Sequence, residues 1–178
     1  TGYSAPSIGS STYPFSGNYD GNGYSITKLS YSGLSGSYAG LFQYLATGAV
    51  IQNLSIGIES LSSTATYTGG LVAAINGNGT LSNITVTLNG ALSGAGYVGG
   101  VVGAELNGQL TLSNVRVTGA GSVTGTGSYV GGVAGYLYAS ASGNSLLSMV
   151  GSEVASVTGS SIYVGGLVGG IYNHGGSK

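Results

Sequence analysis

The sequence predicts an all-β chain wound as a parallel β-helix. Three observations carry this: a glycine-led apolar phrase at near-constant spacing, a second landmark in phase with it, and two-residue alternation after that landmark. The phrase occurs as Gly40-Leu41-Phe42, Gly70-Leu71-Val72, Gly100-Val101-Val102, Gly132-Val133-Ala134 and Gly166-Leu167-Val168, at spacings of 30, 30, 32 and 34 residues. Tyr67, Tyr97, Tyr129 or Tyr163 stands three residues before the glycine, with Ser37 in that place in the first copy. A fixed period of this size marks one supersecondary unit stacked on copies of itself. About five coils of roughly 30 residues follow, in one domain over residues 1–178: a lead-in coil (1–30), the repeats (31–172) and a short tail (173–178).

The second landmark is Ile51-Gln52-Asn53-Leu54, Leu81-Ser82-Asn83-Ile84, Leu112-Ser113-Asn114-Val115 and the looser Leu147-Ser148-Met149-Val150. From the glycine to this column the distances are 13, 13, 14 and 17 residues; from the column to the next glycine they are 17, 17, 18 and 17. The second connection is nearly invariant and belongs to the packed wall. The first must hold a loop that can swell, longest over 138–145.

After the Asn column the chain alternates. Leu54, Ile56 and Ile58 oppose Ser55, Gly57 and Glu59; Ile84, Val86 and Leu88 oppose Thr85, Thr87 and Asn89. In the next coil Val115 and Val117 oppose Arg116 and Thr118. This is the pattern of a half-buried strand. The Tyr-Val-Gly-Gly-Val-Val-Gly phrase is expected to be a second strand, with a short third around Ala91-Leu92-Ser93 and Ser122-Val123-Thr124. Helix is not expected: no 3.6-residue period exists and 37 glycines are spread throughout. Glycine in a strand costs roughly 0.5–1 kcal/mol relative to alanine, so the column Gly40, Gly70, Gly100, Gly132 and Gly166 needs a cause. Coils stacked ~4.8 Å apart with a narrow interior or tight corner supply it.

Gly-Gly-Leu-Val-Gly at 165–169, with its relatives at 69–73, 99–103 and 131–135, resembles the GLUG repeat, and the phrase from Phe15 to Ile26 is similar to the lead-in coil that often precedes such repeats. The resemblance spans about residues 15–172. It implies a right-handed parallel β-helix of bacterial and archaeal surface proteins, including adhesins and the non-catalytic stalks of large secreted proteases. It implies no activity of its own.

Composition narrows the function. Only 4% of residues are charged and the net charge is −1, so a basic nucleic-acid footprint is absent. Repulsion between copies is feeble, which favours self-association. Cysteine is absent, excluding disulfides and thiolate metal sites. No apolar run approaches the ~18–20 residues needed to span a bilayer. The first residue is Thr1, so the chain reads as a processed form or a part of something longer. A surface rich in Ser, Thr, Tyr, Gly and Asn suits an exported or cell-surface protein.

Catalytic chemistry is not indicated. Glu59 lies six residues after its Asn column, Glu153 four after its own, Glu105 in another strand and Asp20 in the lead-in turn, so no two carboxylates share a column as a glycosidase pair requires. They read as scattered, solvated charges. His174, the sole histidine, makes neither a triad nor a metal site. Asp20-Gly21-Asn22-Gly23 lacks the spaced donors of a calcium loop and reads as a tight turn with positive φ. The Gly-x-Gly strings have no following helix and bind no dinucleotide. No cofactor or metal is expected.

Acceptor sequences for N-glycosylation occur at Asn53, Asn78 and Asn83. Asn53 and Asn83, with Asn114, are expected instead to form a ladder of stacked amides. Asn78 is the better glycan candidate. The 14 tyrosines suggest either a stacked Tyr67-Tyr97-Tyr129-Tyr163 column or an aromatic surface for sugars or partner proteins, the column being favoured. Thr85, Thr87 and Thr118 hint at an ice-binding array, which Arg116 and Gly57 interrupt.

A β-helix exposes unpaired backbone at both ends unless charge, proline or a cap intervenes. Pro6 and Pro14 lie in the lead-in only, and no helical cap is evident. The expected function is a non-catalytic subunit of an extracellular filament, a homo-polymer assembling through its solenoid ends. The alternative is a stalk or adhesin module that binds a glycan or surface protein through the 138–145 loop and exposed tyrosines. An enzyme ranks third.

Overall fold

The computed structural model describes residues 7–139, 145–160 and 163–173, all of it strand, turn or bend without helix. His174 and most of the 138–145 loop lie outside the described residues.

The chain winds coil upon coil. The lead-in coil carries β1 (Asn18–Asp20) and β2 (Ser25–Leu34). Coil one carries β3 (Tyr38–Ala39), β4 (Phe42–Ala46) and β5 (Ala49–Ser63). Coil two has β6 (Tyr67–Gly69), β7 (Val72–Asn76), β8 (Gly79–Leu88) and β9 (Leu92–Gly94). Coil three has β10 (Tyr97–Gly99), β11 (Val102–Asn107) and β12 (Leu110–Gly125). Coil four has β13 (Tyr129–Gly131), β14 (Ala134–Ala139) and β15 (Leu146–Gly159), and coil five contributes β16 (Tyr163–Gly165) and β17 (Val168–Asn173). Like strands pair in parallel into three walls, ordered β1-β5-β8-β12-β15, β16-β13-β10-β6-β3 and β17-β14-β11-β7-β4, with β2 and β9 completing the first. This is a β-solenoid of about five turns.

The walls divide the sequence differently from the expectation above. The Tyr-Val-Gly-Gly-Val-Val-Gly phrase is not one strand but two, turning a corner at Gly100 and Val101 between β10 and β11. The short third strand of the sequence reading stands separately as β9 in coil two and is the far half of β12 in coil three, both in the wall of the Asn column.

The interior is filled by columns of like residues. Ile51, Leu81 and Leu112 share one register line, as do Ile56, Val86 and Val117, all at most 1% exposed. Each buried Leu, Ile or Val contributes roughly 1.5–3 kcal/mol. Those repeated rows hold the stack together.

The glycine column has a steric cause. A Cβ built on Gly70 would overlap the carbonyl of Gly100, one on Gly100 the carbonyl of Gly132, and one on Gly132 the carbonyl of Gly166. On Gly40 it would sit 2.8 Å from Gly69 O and 3.0 Å from Ala73 N. At this corner the backbone of each coil lies where the previous coil's side chain would stand.

The two ends of the described stack differ. In the lead-in coil, Ile8 bridges Phe42 and Phe15 bridges Leu45. Phe15 and Tyr19 close on the Phe42 ring at 5.2 and 5.5 Å. β2 slips register against β5 between Ile26 and Leu29, with Lys28 at φ 62 in the slip, and Asp20 lies on β1. Bulges and charges are the usual devices for blunting an edge.

Candidate functional site: the open terminal coil and its ladders

At the other end, among the described residues, no strand pairs with the outer edges of β15, β16 and β17. Inward columns that are sealed one coil earlier open there. Val130 is 0% exposed and its register partner Val164 is 42% exposed; Leu137 is 1% exposed and its partner Ile171 is 69%. Gly166 occupies the column in which each of its four predecessors faces a carbonyl of the next coil, yet a Cβ there would meet nothing within 4 Å. Among the described residues, no strand lies on the surface by which each coil receives the next.

Along the outside runs a ladder of tyrosines. Tyr38, Tyr67, Tyr97, Tyr129 and Tyr163 stack with centroids 5.4, 5.1, 5.2 and 4.8 Å apart and planes within 20° of parallel. The sequence reading put Ser37 in the first rung. The register instead pairs Tyr38 with Tyr67, because β3 sits one residue closer to its glycine than the later copies do. Tyr44 meets Tyr38 edge-on at 5.0 Å, and Tyr136 tilts against Tyr129 at 4.9 Å. The rings spend their faces on one another, so the ladder is a supporting column and not a row of free platforms for sugars. Burial and the neighbouring phenols raise the pKa values of Tyr38 and Tyr67, and push Tyr136 up to about 12.

The asparagine ladder is present and exposed. Asn114 Nδ2 donates to Asn83 Oδ1 at 3.0 Å, Asn83 Nδ2 to Asn53 Oδ1 at 2.9 Å, and Asn53 Nδ2 to Asp20 Oδ1 at 3.0 Å. Asn53, Asn83 and Asn114 all have φ between 52 and 54, the left-handed region that asparagine tolerates best after glycine. Asp20 ends the ladder as an acceptor for Asn53, the Asn22 amide and Gln52, in that order of effect, and these bonds hold its carboxyl below the ordinary range. Asn22 (φ 50) and Gly23 (φ 76) form the expected tight turn, closed by Tyr24 N donating to Gly21 O. The Nδ2 atoms of Asn53 and Asn83, where a glycan would attach, are already donating. Asn78 is exposed in the turn between β7 and β8 and lines a shallow groove of about 250 Å³ with Thr47, Val50, Thr80, Gln109 and Thr111.

Glu59 accepts from Asn89 at 2.8 Å, and Glu153 pairs with Arg116 at 3.2 Å on the surface. Glu105 departs from the solvated reading. It is fully buried, paired in register with core residue Ile75. Ser145 Oγ donates to its Oε2 at 2.6 Å while Oε1 has no partner. Burial raises its pKa, against the opposing bonds from Ser145 and the Leu110 and Tyr138 amides. Nothing in the local sequence distinguishes this glutamate; only the register line through Ile75 places it inside. Among the described residues no three His, Cys, Asp or Glu side chains gather as a metal site, and no helix is long and apolar enough to cross a membrane.

Half of the chain, 89 residues, is 38% identical to halomucin of Haloquadratum walsbyi (strain DSM 16790 / HBSQ001), a surface protein of an archaeon. That match spans about 1% of halomucin's length. No family model matches the chain, so its likeness to GLUG repeats rests on the glycine phrase, and no solved structure matches it.

Proposed function

We propose that this chain is a non-catalytic structural rod of a surface protein, and that it serves as a subunit of an extracellular fibre. The observation that carries the reading is the coil edge at β15–β17, which no described strand covers, with nothing near Gly166 and with Val164 and Ile171 exposed. Strand addition to such an edge gains a full set of backbone hydrogen bonds together with apolar burial. Purified chain should form fibres of uniform width in electron micrographs without added cofactor. Strictly monomeric light scattering at high concentration contradicts the reading.

A second reading is a stalk segment or adhesin module. It is favoured by the likeness to a small part of a much longer surface protein. Glycan-array binding that disappears when the 138–145 loop is shortened supports it over the fibre. In either setting, Asn78 is the position we propose for glycan attachment, because its amide stands outside the asparagine ladder. Mass spectrometry of native material reads this directly.

A further inference from the structure

We infer that Asn89 is a self-modifying position, which loses its side-chain amide through the backbone nitrogen of Gly90 and becomes aspartate or isoaspartate at the corner between β8 and β9. The inference stands apart from the fibre and stalk readings. Its chemistry belongs to any Asn-Gly step. The glycine nitrogen attacks Cγ and forms a C–N bond, the Cγ–Nδ2 bond breaks, and the nitrogen's proton departs with the amide as ammonia. Water then opens the cyclic imide at either carbonyl, which gives the normal linkage or one that runs through the side chain. Glycine speeds the step because no Cβ hinders the attack.

The chain has five such steps, at Asn22, Asn76, Asn78, Asn89 and Asn107. The stack disarms three of them. Gly23 N donates to Asn53 O at 2.9 Å, Gly77 N to Asn107 O at 2.7 Å and Gly79 N to Gln109 O at 3.0 Å. A nitrogen committed to the neighbouring coil must give up that bond before it attacks, which costs up to about tenfold in rate. Gly90 N makes no hydrogen bond among the described residues, and Asn89 is exposed. Asn107 falls outside the comparison, because the matching segment of coil four, between β14 and β15, lies mostly outside the described residues.

Stacking itself installs the labile pair. A Cβ on Gly90 would overlap the carbonyl of Glu59, and one on Gly121 the carbonyl of Gly90, so the corner is closed to side chains. The Asn89 amide is also in use, since its Nδ2 donates to Glu59 Oε1 at 2.8 Å. Conversion replaces that donor with a second carboxylate beside Glu59. The rerouted linkage adds a methylene just ahead of Leu92, whose register with Leu61 and Val123 holds β9 in its wall. Modification of Asn89 therefore loosens β9.

Intact chain is held in warm, mildly alkaline buffer, digested and followed by mass spectrometry, with isoaspartate methyltransferase labelling the rerouted product. Asn89 should convert about tenfold faster than Asn22, Asn76 or Asn78. In denaturant, where none of the glycine nitrogens is held, the four should convert within a few-fold of one another. Native Asn89 no faster than the other three overturns the inference. So does a lead that persists undiminished in denaturant, because the coil contacts are then not its cause. The effect on β9 is read separately. Asn89→Asp should lower the unfolding midpoint by about 2–4 °C at neutral pH, and Glu59→Gln on the same chain should restore it by supplying a donor. An unchanged midpoint in Asn89→Asp contradicts the loosening.

Discussion

The carbonyl of Gly132 occupies the space that a β-carbon on Gly100 would need. The obstruction is corner backbone, tied to the next coil by Gly132 N donating to Gly165 O at 3.3 Å, so relief requires two coils to part. Gly100→Val should therefore lower stability by about 3 kcal/mol or more. Thr87→Val, facing outward, should stay within about 0.5 kcal/mol. Gly166→Ala should be equally mild in isolated chains, since nothing lies within 4 Å. Thermal unfolding separates them, at about 2–4 °C per kcal/mol for a domain of this size.

Met149 holds the position that asparagine holds in three earlier coils, with φ 52 and its side chain 71% exposed. A left-handed backbone costs an ordinary residue roughly 1–2 kcal/mol. Met149→Asn should recover about 1 kcal/mol and let the amide ladder continue from Asn114. Asn83→Ala, which removes the ladder's middle rung, should cost about 2 kcal/mol, and Asn83→Gly about half of that. Denaturant midpoints rank the three.

Glu105 is a carboxyl whose folded pKa is raised by burial. The folded state binds its proton more tightly than the unfolded chain does, so the stability it supports is full below the ordinary carboxyl range and is lost as pH rises through the raised value. Glu105→Gln should flatten that dependence. Glu105→Ile, copying its register partner Ile75, should stabilise by about 1–3 kcal/mol at neutral pH, because the unpartnered Oε1 disappears. A pH series of unfolding midpoints with no difference between wild type and Glu105→Gln would sink this.

Three phenols in and against the tyrosine ladder titrate late. Tyr38 and Tyr67 are raised, and Tyr136 reaches about 12. Their contribution is intact below the ordinary phenol pKa of ~10 and is lost as pH climbs from there towards about 12. Absorbance titration should show a late class of phenols ionising together with unfolding, and Tyr136→Phe should remove its last member.

Much of this was legible in the residues alone. A period of 30 to 34 residues with glycine, tyrosine and asparagine in phase can be satisfied only by stacking, since each unit is too small to bury its own apolar face. The tyrosine column and the amide ladder follow, because a repeated residue in a stacked coil must meet its own copy. Exceptions to the repeat were not legible. Tyr38 enters the ladder through a one-residue slip, and Asp20 caps the asparagines from the end of β1.

Linear order also left the ends undecided. Pattern and composition determined a low-charge, cysteine-free solenoid with its glycines at the corners. Only the folded register decided that Glu105 shares a core line with Ile75, that Phe15 and Tyr19 pack on Phe42 in the lead-in coil, and that no described strand covers β15, β16 and β17. The reason is physical. Periodicity states which residues recur, whereas burial and edge exposure depend on which coil lies above and below, and that is known only once the turns are stacked.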